Sequence, residues 1–332
     1  MISPFLRSSA LNTHEVCQQQ FFINYSLGIQ QIVNSAAQKG SIFHKVMEII
    51  AKIALLNKTG EPYFIDEDIG KFENRDVFSY DIFDILNKVY NFFVENTDFE
   101  GSPSDYLDCQ TWIKNILEFN DGDYDPRKRN IVQAEQFFDF ELKRDWSKYK
   151  FSVGENNLEG HVRLRGTVDL ITEVSESPKV WEIVDYKTGL RKNWANDKLK
   201  DDSNLKDDIQ LRFYHYAIST IFPDVEDIII TLFYLRESAP FPVYFTKSDM
   251  LITEEMLKNK YMSIINNQRP KLRNDYKCRF CSFSKGDFQN SGQPACEFFR
   301  DKILQIGMPK VIDKYADLKS LKQYQGGGSV RE

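Results

Sequence analysis

The chain has 332 residues, a formal net charge of −6, 42% hydrophobic residues and five cysteines. The apolar content excludes a disordered chain, which could not offset its conformational entropy by burial, and the cysteines are too dilute for a disulfide-dense mini-domain. No apolar run approaches the roughly 20 residues that span a bilayer, and the N-terminus lacks the features of a signal peptide. We therefore expect a cytoplasmic protein without a membrane partner, and the acidic balance argues mildly against nucleic acid.

Helices dominate the first part of the chain. Apolar residues at three- and four-residue spacing predict two helices over 8–57, broken near Gly40, and two more over 77–96 and 104–118. The stretch that follows, up to residue 130, is rich in turn formers and is predicted to be a polar loop. Cys109 shares a helical stripe with apolar residues, which indicates a buried thiol.

Strands become frequent after this loop. Alternating apolar residues and turn formers predict five strands, over 132–142, 161–172, 179–187, 228–236 and 241–246. A turn at 175–178 joins the second strand to the third, a helix over 205–221 follows, and a helix over 253–267 begins at a Thr253 N-cap. This order predicts a mixed α/β fold, with a central mixed sheet flanked by helices.

The second strand alternates between two predicted faces. Its apolar face consists of Val162, Leu164, Val168 and Leu170. Its polar face consists of Arg163, Arg165, Thr167 and Asp169. On the partner strand, Asp185 and Lys187 share a face, and Glu182 lies on the opposite one, where we expect it to be solvated or structural.

Two carboxylates and an ammonium group can converge if these two strands pair. Asp169, Asp185 and Lys187 would meet beside an apolar run, where charged groups should be paired or functional. A Mg²⁺ ion takes hard oxygen ligands, acidifies bound water and neutralises phosphate charge, and a nearby lysine can orient or deprotonate that water. The pattern therefore suits phosphodiester hydrolysis, with a surface ion pair as the alternative.

The residues GTVDL at 166–170, a short hairpin and VDYKTG at 184–189 resemble the PD-(D/E)xK nuclease superfamily, in its RecB-like and AddB-like branch. The resemblance implies a restriction-endonuclease-like core and a Mg²⁺- or Mn²⁺-dependent hydrolase. It also implies that Asp169 and Asp185 hold the metal ion and that Lys187 orients the attacking water.

Two helices extend the resemblance. Gln210 and Tyr214 match the family's Q-L-x-x-Y motif, share a helix face and are implied to support the catalytic cleft. His44, in GSIFH, matches the family's early metal-binding histidine, although its place on a polar helix side alone would favour an ordinary surface residue. Glu135 stands where relatives often carry an acidic residue before the hairpin.

Four of the five cysteines form a second pattern, Cys17, Cys278, Cys281 and Cys296. Four thiolates suit either a [4Fe–4S] cluster or a tetrahedral zinc site, but a zinc ribbon usually has two close pairs and here one cysteine is remote by about 260 residues. The resemblance to AddB-type and related nucleases, with one early and three late cysteines, implies the iron–sulfur cluster, with structural Zn²⁺ as the alternative. The chain departs from the family at Gln18, where relatives have proline, and in its long last spacing.

Basic and aromatic residues interleave before and among the late cysteines. The basic residues predicted to bind DNA are Arg269, Lys271, Arg273, Lys277 and Arg279. Cations beside aromatic platforms suit a single strand, whose phosphates and base faces are both accessible, while solvated loops are the alternative. Because the whole-chain charge averages over such runs, DNA binding should rest on a local channel.

The resemblance implies an exonuclease on single-stranded DNA or DNA ends, in recombination, repair or phage DNA metabolism. The sequence contains no P-loop, so a helicase motor would be a separate partner. The alternatives are an RNA nuclease and a non-catalytic DNA-binding or assembly module stabilised by a four-cysteine metal site. The predicted organisation is a helical part over 1–130, a nuclease core over 131–270, a cysteine segment over 271–322 packed on the N-terminus, and a flexible tail over 323–332.

Overall fold

The computed structural model describes residues 1–31, 35–193, 196–201, 204–286, 288, 292–317, 319 and 321. The tail predicted over 323–332 lies outside them. The α-helices are α1 (Ser8–Val16), α2 (Gln18–Phe21), α3 (Ser35–Thr59), α4 (Ile82–Asn96), α5 (Pro103–Glu118), α6 (Ile209–Ile221), α7 (Asp249–Ile265), α8 (Ala295–Ile306) and α9 (Met308–Tyr315). The strands are β1 (Phe5–Leu6), β2 (Tyr63–Asp66), β3 (Gly70–Glu73), β4 (Ile131–Glu141), β5 (Lys148–Val153), β6 (Asn156–His161), β7 (Arg163–Glu176), β8 (Lys179–Lys187), β9 (Asp227–Tyr234) and β10 (Ala239–Thr246).

A mixed sheet of six strands lies at the centre of the fold, in the order β1-β7-β8-β9-β10, with β4 paired to β7. β7 is antiparallel to β4 and β8, and its register places Leu170 opposite Val184. β8 and β9 are parallel, and α6 makes the crossover that parallel neighbours require. The predicted fold class, a mixed α/β fold with helices flanking a central mixed sheet, is confirmed.

Helices cover both faces of the sheet. On one face, α3, α4 and α5 pack around Phe43, Trp112 and Tyr186. On the other face, α1, α6, α7, α8 and α9 pack around Phe213 and Tyr261. Strand β8 is therefore covered on both sides and is buried along most of its length, as is typical of a central strand. Any charged side chain in its middle must find partners inside the protein.

The predicted helix break at Gly40 is wrong, because α3 runs without interruption through this residue. Glycine serves a packing role here. A Cβ atom at position 40 would lie 3.2 Å from the Oγ1 atom of Thr188, the residue that follows β8. The absence of a side chain lets α3 approach the end of β8 closely, which brings His44 of the same helix toward the sheet.

Two further local predictions are corrected. Helix α7 begins at Asp249, and Thr253 is buried inside it, where its hydroxyl donates to the Asp249 carbonyl at 3.0 Å. In β7, Val168 belongs to the apolar cluster beside α6 but Leu170 belongs to the one beside α3, so they do not share a face. The partner strand β4 is irregular at this point, because Glu135 has a backbone φ of 48°.

Within the part of the chain that the structure describes, none of the helices has the length and apolar character that a membrane crossing requires. Cys109 is fully buried in α5, as its apolar stripe predicts.

Candidate active site

Asp185 and Lys187 lie near the end of β8 and form an ion pair. Asp185 is only 2% exposed. Burial raises the pKa of Asp185, and the Lys187 ammonium opposes that rise without cancelling it. Burial alone would lower the pKa of Lys187, but the Asp185 carboxylate outweighs it and raises the pKa above its ordinary value. Lys187 is therefore a protonated, partly buried cation at neutral pH.

Gln210 connects both members of this pair through the two ends of its side-chain amide. Its Oε1 atom accepts a hydrogen bond from the Lys187 ammonium at 2.8 Å. Its Nε2 atom donates to Asp185 at 2.9 Å and to the Tyr214 hydroxyl at 2.9 Å. Asp208 caps α6 by accepting the backbone N–H of Gln210, which fixes the start of the helix. Gln210 and Tyr214 thus share the helix face that their spacing predicts.

His44 and Asp169 meet on the neighbouring side of the same site. The Nδ1 atom of His44 lies 3.3 Å from Asp169, and Asp169 also accepts the backbone N–H of Tyr186 at 2.9 Å. Burial alone would lower the pKa of His44, but Asp169 raises it to about 9. Burial alone would raise the pKa of Asp169, but His44 outweighs it and the pKa is lowered.

Glu135, at the irregular point of strand β4, completes a group that can hold a metal ion. One ligand atom from each of His44, Glu135 and Asp169 lies within 4.8 Å of the others. Burial raises the pKa of Glu135 to about 8, and the nearby Asp169 carboxylate adds to the rise. Two partly buried carboxylates this close repel each other unless a cation or a proton lies between them.

This donor set fits a divalent ion such as Mg²⁺ or Mn²⁺. Oxygen and nitrogen ligands that lie about 2.0–2.1 Å from one ion are about 3–4 Å from one another. The ligand atoms of these three residues already lie within 4.8 Å of one another, which is close to that spacing. Asp185 is not one of these three residues, and its carboxylate contacts Lys187 and Gln210. Its role as a metal ligand stays a prediction. The structure thus places His44 and Asp169 together as candidate metal ligands, with Glu135 as the third member.

Comparison with known proteins decides the family. The model of the family described as “PD-(D/E)XK nuclease superfamily” matches residues 8–298. The chain belongs to this superfamily. Nucleases of the superfamily typically use divalent metal ions, and the group of His44, Glu135 and Asp169 is a candidate site for one.

Two solved structures show a distant similarity to this PD-(D/E)XK protein. One, described as a “Putative exonuclease” from Eubacterium rectale, is 12% identical, covers 83% of this chain and 87% of its own, and has a TM-score of 0.47. The other, described as “SSO0001”, is 15% identical, covers 62% of this chain and 74% of its own, and has a TM-score of 0.26. The curated proteins contain no match to the sequence. Both structural likenesses are distant, and family membership rests on the sequence match.

Glu182 and Arg129 form a buried network behind the PD-(D/E)XK site. Glu182 is 7% exposed, pairs with Arg129 and accepts a hydrogen bond from the Thr231 hydroxyl at 2.5 Å. Arg129 also donates to the Thr172 hydroxyl at 2.7 Å. Glu182 is therefore structural, one of the two roles expected for it. The sequence signal for this network is Thr231, a polar residue in an otherwise apolar strand.

The four cysteines of the second pattern line one small cavity of about 50 Å³. Cys17 caps α2, Cys278 and Cys281 lie in short turns, and Cys296 lies in the first turn of α8. Burial raises the pKa of Cys296 to about 11, and the neighbouring Cys281 adds to the rise. Thiols clustered in this way resist ionisation unless a metal centre compensates their charge.

Gln18 links the segment of the early cysteine to the segment that precedes the late cysteines. Its Oε1 atom accepts hydrogen bonds from the Lys271 backbone and from the Asn267 amide, each at 3.0 Å. The Arg273 guanidinium donates to the Val16 carbonyl at 3.0 Å. The residue that replaces the family's proline thus holds the early cysteine segment against the late one.

The predicted DNA-binding residues fall into two groups. Arg269, Lys271 and Arg279 are exposed. Lys277 is buried and pairs with Asp197, and Arg273 pairs with Asp275. The second group forms ion pairs within the protein. DNA binding by this segment stays a prediction, and only its exposed residues are free to contact DNA directly.

Glu135→Gln tests the metal site, because it removes both a ligand and the repulsion between Glu135 and Asp169. We expect the metal-free variant to be more thermally stable than wild type, and its affinity for Mn²⁺ to fall at least about tenfold. Thermal melting with and without Mn²⁺ measures both effects. Glu48→Gln, on the same polar side of α3 but outside the donor group, should keep the Mn²⁺-induced rise in Tm. Wild-type Mn²⁺ affinity in Glu135→Gln would exclude Glu135 from the site.

Proposed function

We propose that this PD-(D/E)XK protein is a Mg²⁺- or Mn²⁺-dependent deoxyribonuclease of the RecB-like branch, acting as an exonuclease on single-stranded DNA or DNA ends. The proposal rests on one observation: a lysine held by two side chains lies next to a group of candidate metal ligands. Lys187 is held by Asp185 and Gln210, and the donor group of His44, Glu135 and Asp169 lies beside it. Phosphodiester hydrolysis requires both parts.

Each residue has a distinct part in the proposed reaction. His44, Glu135 and Asp169 would hold the divalent ion, and Asp185 would lie next to these ligands. When bound, that ion supplies acidification of water and neutralisation of phosphate charge. The Lys187 ammonium donates hydrogen bonds to the attacking water and stabilises the charge that develops on the phosphate. The raised pKa of Lys187 supports a role as a hydrogen-bond donor.

Gln210 positions this lysine and does not touch the reacting atoms in the proposal. Its amide oxygen orients one ammonium hydrogen, and its amide nitrogen fixes Asp185 on the opposite side. The remaining ammonium hydrogens then have a fixed direction toward the substrate. The rival function, a non-catalytic DNA-binding or assembly module, would need no such arrangement of buried charges, whose burial costs stability.

The role in recombination, repair or phage DNA metabolism, with a helicase on another chain, rests on the resemblance to the RecB-like branch. DNA is the substrate class that the nuclease family implies. The exposed residues Arg269, Lys271 and Arg279 are candidates to contact phosphates near the cysteine segment.

The activity is tested with end-labelled single- and double-stranded DNA, linear and circular, and with RNA of matched sequence, in Mg²⁺ and in Mn²⁺. We expect metal-dependent loss of linear DNA with circles left intact. Lys187→Ala should reduce the rate by about 10²–10⁴-fold, because it removes the positioned cation. Lys179→Ala, at the solvent-facing start of the same strand, is the matched control and should stay within about twofold of wild type.

Three outcomes would contradict parts of this proposal. Equal rates in wild type and Lys187→Ala would reject the assigned active site. Rapid opening of circular DNA would reject the exonuclease assignment, and a preference for RNA would reject DNA as the substrate.

A [4Fe–4S] cluster held by Cys17, Cys278, Cys281 and Cys296 is the second part of the proposal. A tetrahedral zinc site with Zn–S bonds of about 2.3 Å would bring four sulfurs to about 3.8 Å from one another. Among the described residues, no three cysteine sulfurs lie within 4.8 Å of one another. All four cysteines line one cavity, which supports a metal centre held by four thiolates, and the choice of an iron–sulfur cluster rests on the family resemblance.

We expect anaerobically purified protein to be brown, to absorb near ~400 nm, and to contain iron and sulfide in equal amounts. Cys281→Ser should lose the colour and lower the Tm, because the cluster joins the two chain ends. Cys109→Ser changes a buried cysteine away from this cavity and should keep the colour. A colourless wild-type protein that contains one equivalent of zinc would overturn the iron–sulfur assignment.

A further inference from the structure

The sheet face that carries the candidate metal ligands continues beyond them along β4 and β7. Glu135 and Asp169 occupy one row of this antiparallel ladder, because the rows on either side of them are in register. Phe137 and Thr167 form a pair two residues further along both strands. Two residues of a strand span about 7 Å, so this pair lies close to the metal group. The face, which we name the β4–β7 face, consists of Glu135, Phe137, Asp139 and Glu141 of β4 with Arg163, Arg165, Thr167 and Asp169 of β7.

Phe137 presents an exposed ring on this face. Its neighbour Phe138 is buried on the opposite side of β4, in the apolar cluster beside α6. Gly166 is the partner of Phe138 in the ladder, and a Cβ atom there would lie 2.7 Å from the Phe138 ring, so the glycine makes room for that ring. The packing of Phe138 fixes which way β4 faces and leaves Phe137 on the β4–β7 face, where Phe137 is 54% exposed.

The residues that follow Phe137 on this face suit a nucleic-acid strand better than a protein partner. A stable protein interface needs a contiguous apolar patch, whereas the next rows of the face are polar. Arg163 and Arg165 donate hydrogen bonds to Asp139 at 2.6 Å and 3.0 Å, and Arg163 also contacts Glu141. Beyond the metal group, a polyanion along this face therefore meets carboxylates that already have cationic partners.

An exposed aromatic ring beside a group that binds phosphate through a metal ion matches the chemistry of a single strand. Every base has a flat face that can stack on such a ring, and one stacked base strengthens binding about fivefold or more. A strand whose phosphate lies at the metal group has a base within one nucleotide of it, which is within reach of Phe137. In a duplex the bases are paired and stacked on one another, so only a single strand or an opened end presents a base to the ring.

We propose that the Phe137 ring stacks against a base of a single strand whose phosphate lies at the group of His44, Glu135 and Asp169. Phe137 is a positioning residue, because it holds the strand on the β4–β7 face and does not touch the reacting atoms. The inference deepens the proposed nuclease function and rests on it, since that function supplies the phosphate at the metal group. Such a contact favours single strands and ends over the interior of a duplex.

Strand binding without hydrolysis tests the proposal, in the full chain carrying Lys187→Ala and in the presence of Mn²⁺. Fluorescence anisotropy measures the affinity for two labelled strands of equal length, an oligothymidylate and a sugar-phosphate strand that lacks every base. Adding Phe137→Ala should weaken binding of the oligothymidylate about fivefold or more and leave the abasic strand within about twofold. Phe137→Trp keeps an aromatic ring and should restore the affinity for the oligothymidylate. Phe78→Ala removes an equally exposed ring outside the β4–β7 face and should leave both affinities within about twofold.

The comparison of the two strands separates stacking from a change in structure. A loss confined to the oligothymidylate in Phe137→Ala, and restored by Phe137→Trp, is the result that the proposal requires. Oligothymidylate affinity within twofold of the parent would overturn the proposal, as would an equal loss for both strands or a parent that binds neither. Hydrolysis is measured separately. A chain that degrades DNA without this base dependence keeps its proposed function, and one that shows the dependence without hydrolysis loses that function alone.

Discussion

The ion pair between the buried Asp185 and the partly buried Lys187 is the constraint on which the site depends. It lies in β8, a strand covered by helices on both faces, where an unpaired charge would cost several kcal/mol. Gln210 satisfies both partners with one amide, and this requires α6 to begin at a fixed distance from β8. The Asp208 cap and the parallel β8–β9 crossover supply that placement. The chemistry and the topology are therefore linked by one side chain.

The chain ends are tied together on the other side of α6. Gln18 and Arg273 bind the early segment to the late one, next to the four cysteines. Val16, the last residue of α1, lines the cysteine cavity. The cysteine segment thus contacts the end of α1. A centre bound by the cysteines would stabilise the surroundings of the catalytic site from a distance, without taking part in the reaction.

Strand alternation and helix spacing predict the meeting of Asp185 with Lys187 and of Gln210 with Tyr214, because each pair lies within one element. They cannot predict that His44 meets Asp169 and Glu135, which requires α3, β4 and β7 to pack together; only the family resemblance points to that group.

Local backbone conformation is harder to predict. Glycine propensity suggests a helix break at Gly40, but α3 continues through this residue and packs closely against Thr188. The left-handed backbone of Glu135 accompanies the loss of alternation between Val168 and Leu170.

The central claim is that Gln210 acts on the reaction through Lys187. Single-turnover hydrolysis rates of wild type, Gln210→Ala, Lys187→Ala and the double variant at saturating Mn²⁺ test it directly. The account predicts a loss of about tenfold or more for Gln210→Ala, and a double variant no slower than Lys187→Ala within about twofold, because an absent lysine needs no positioning. A double variant whose loss is the product of the two single losses would contradict the account.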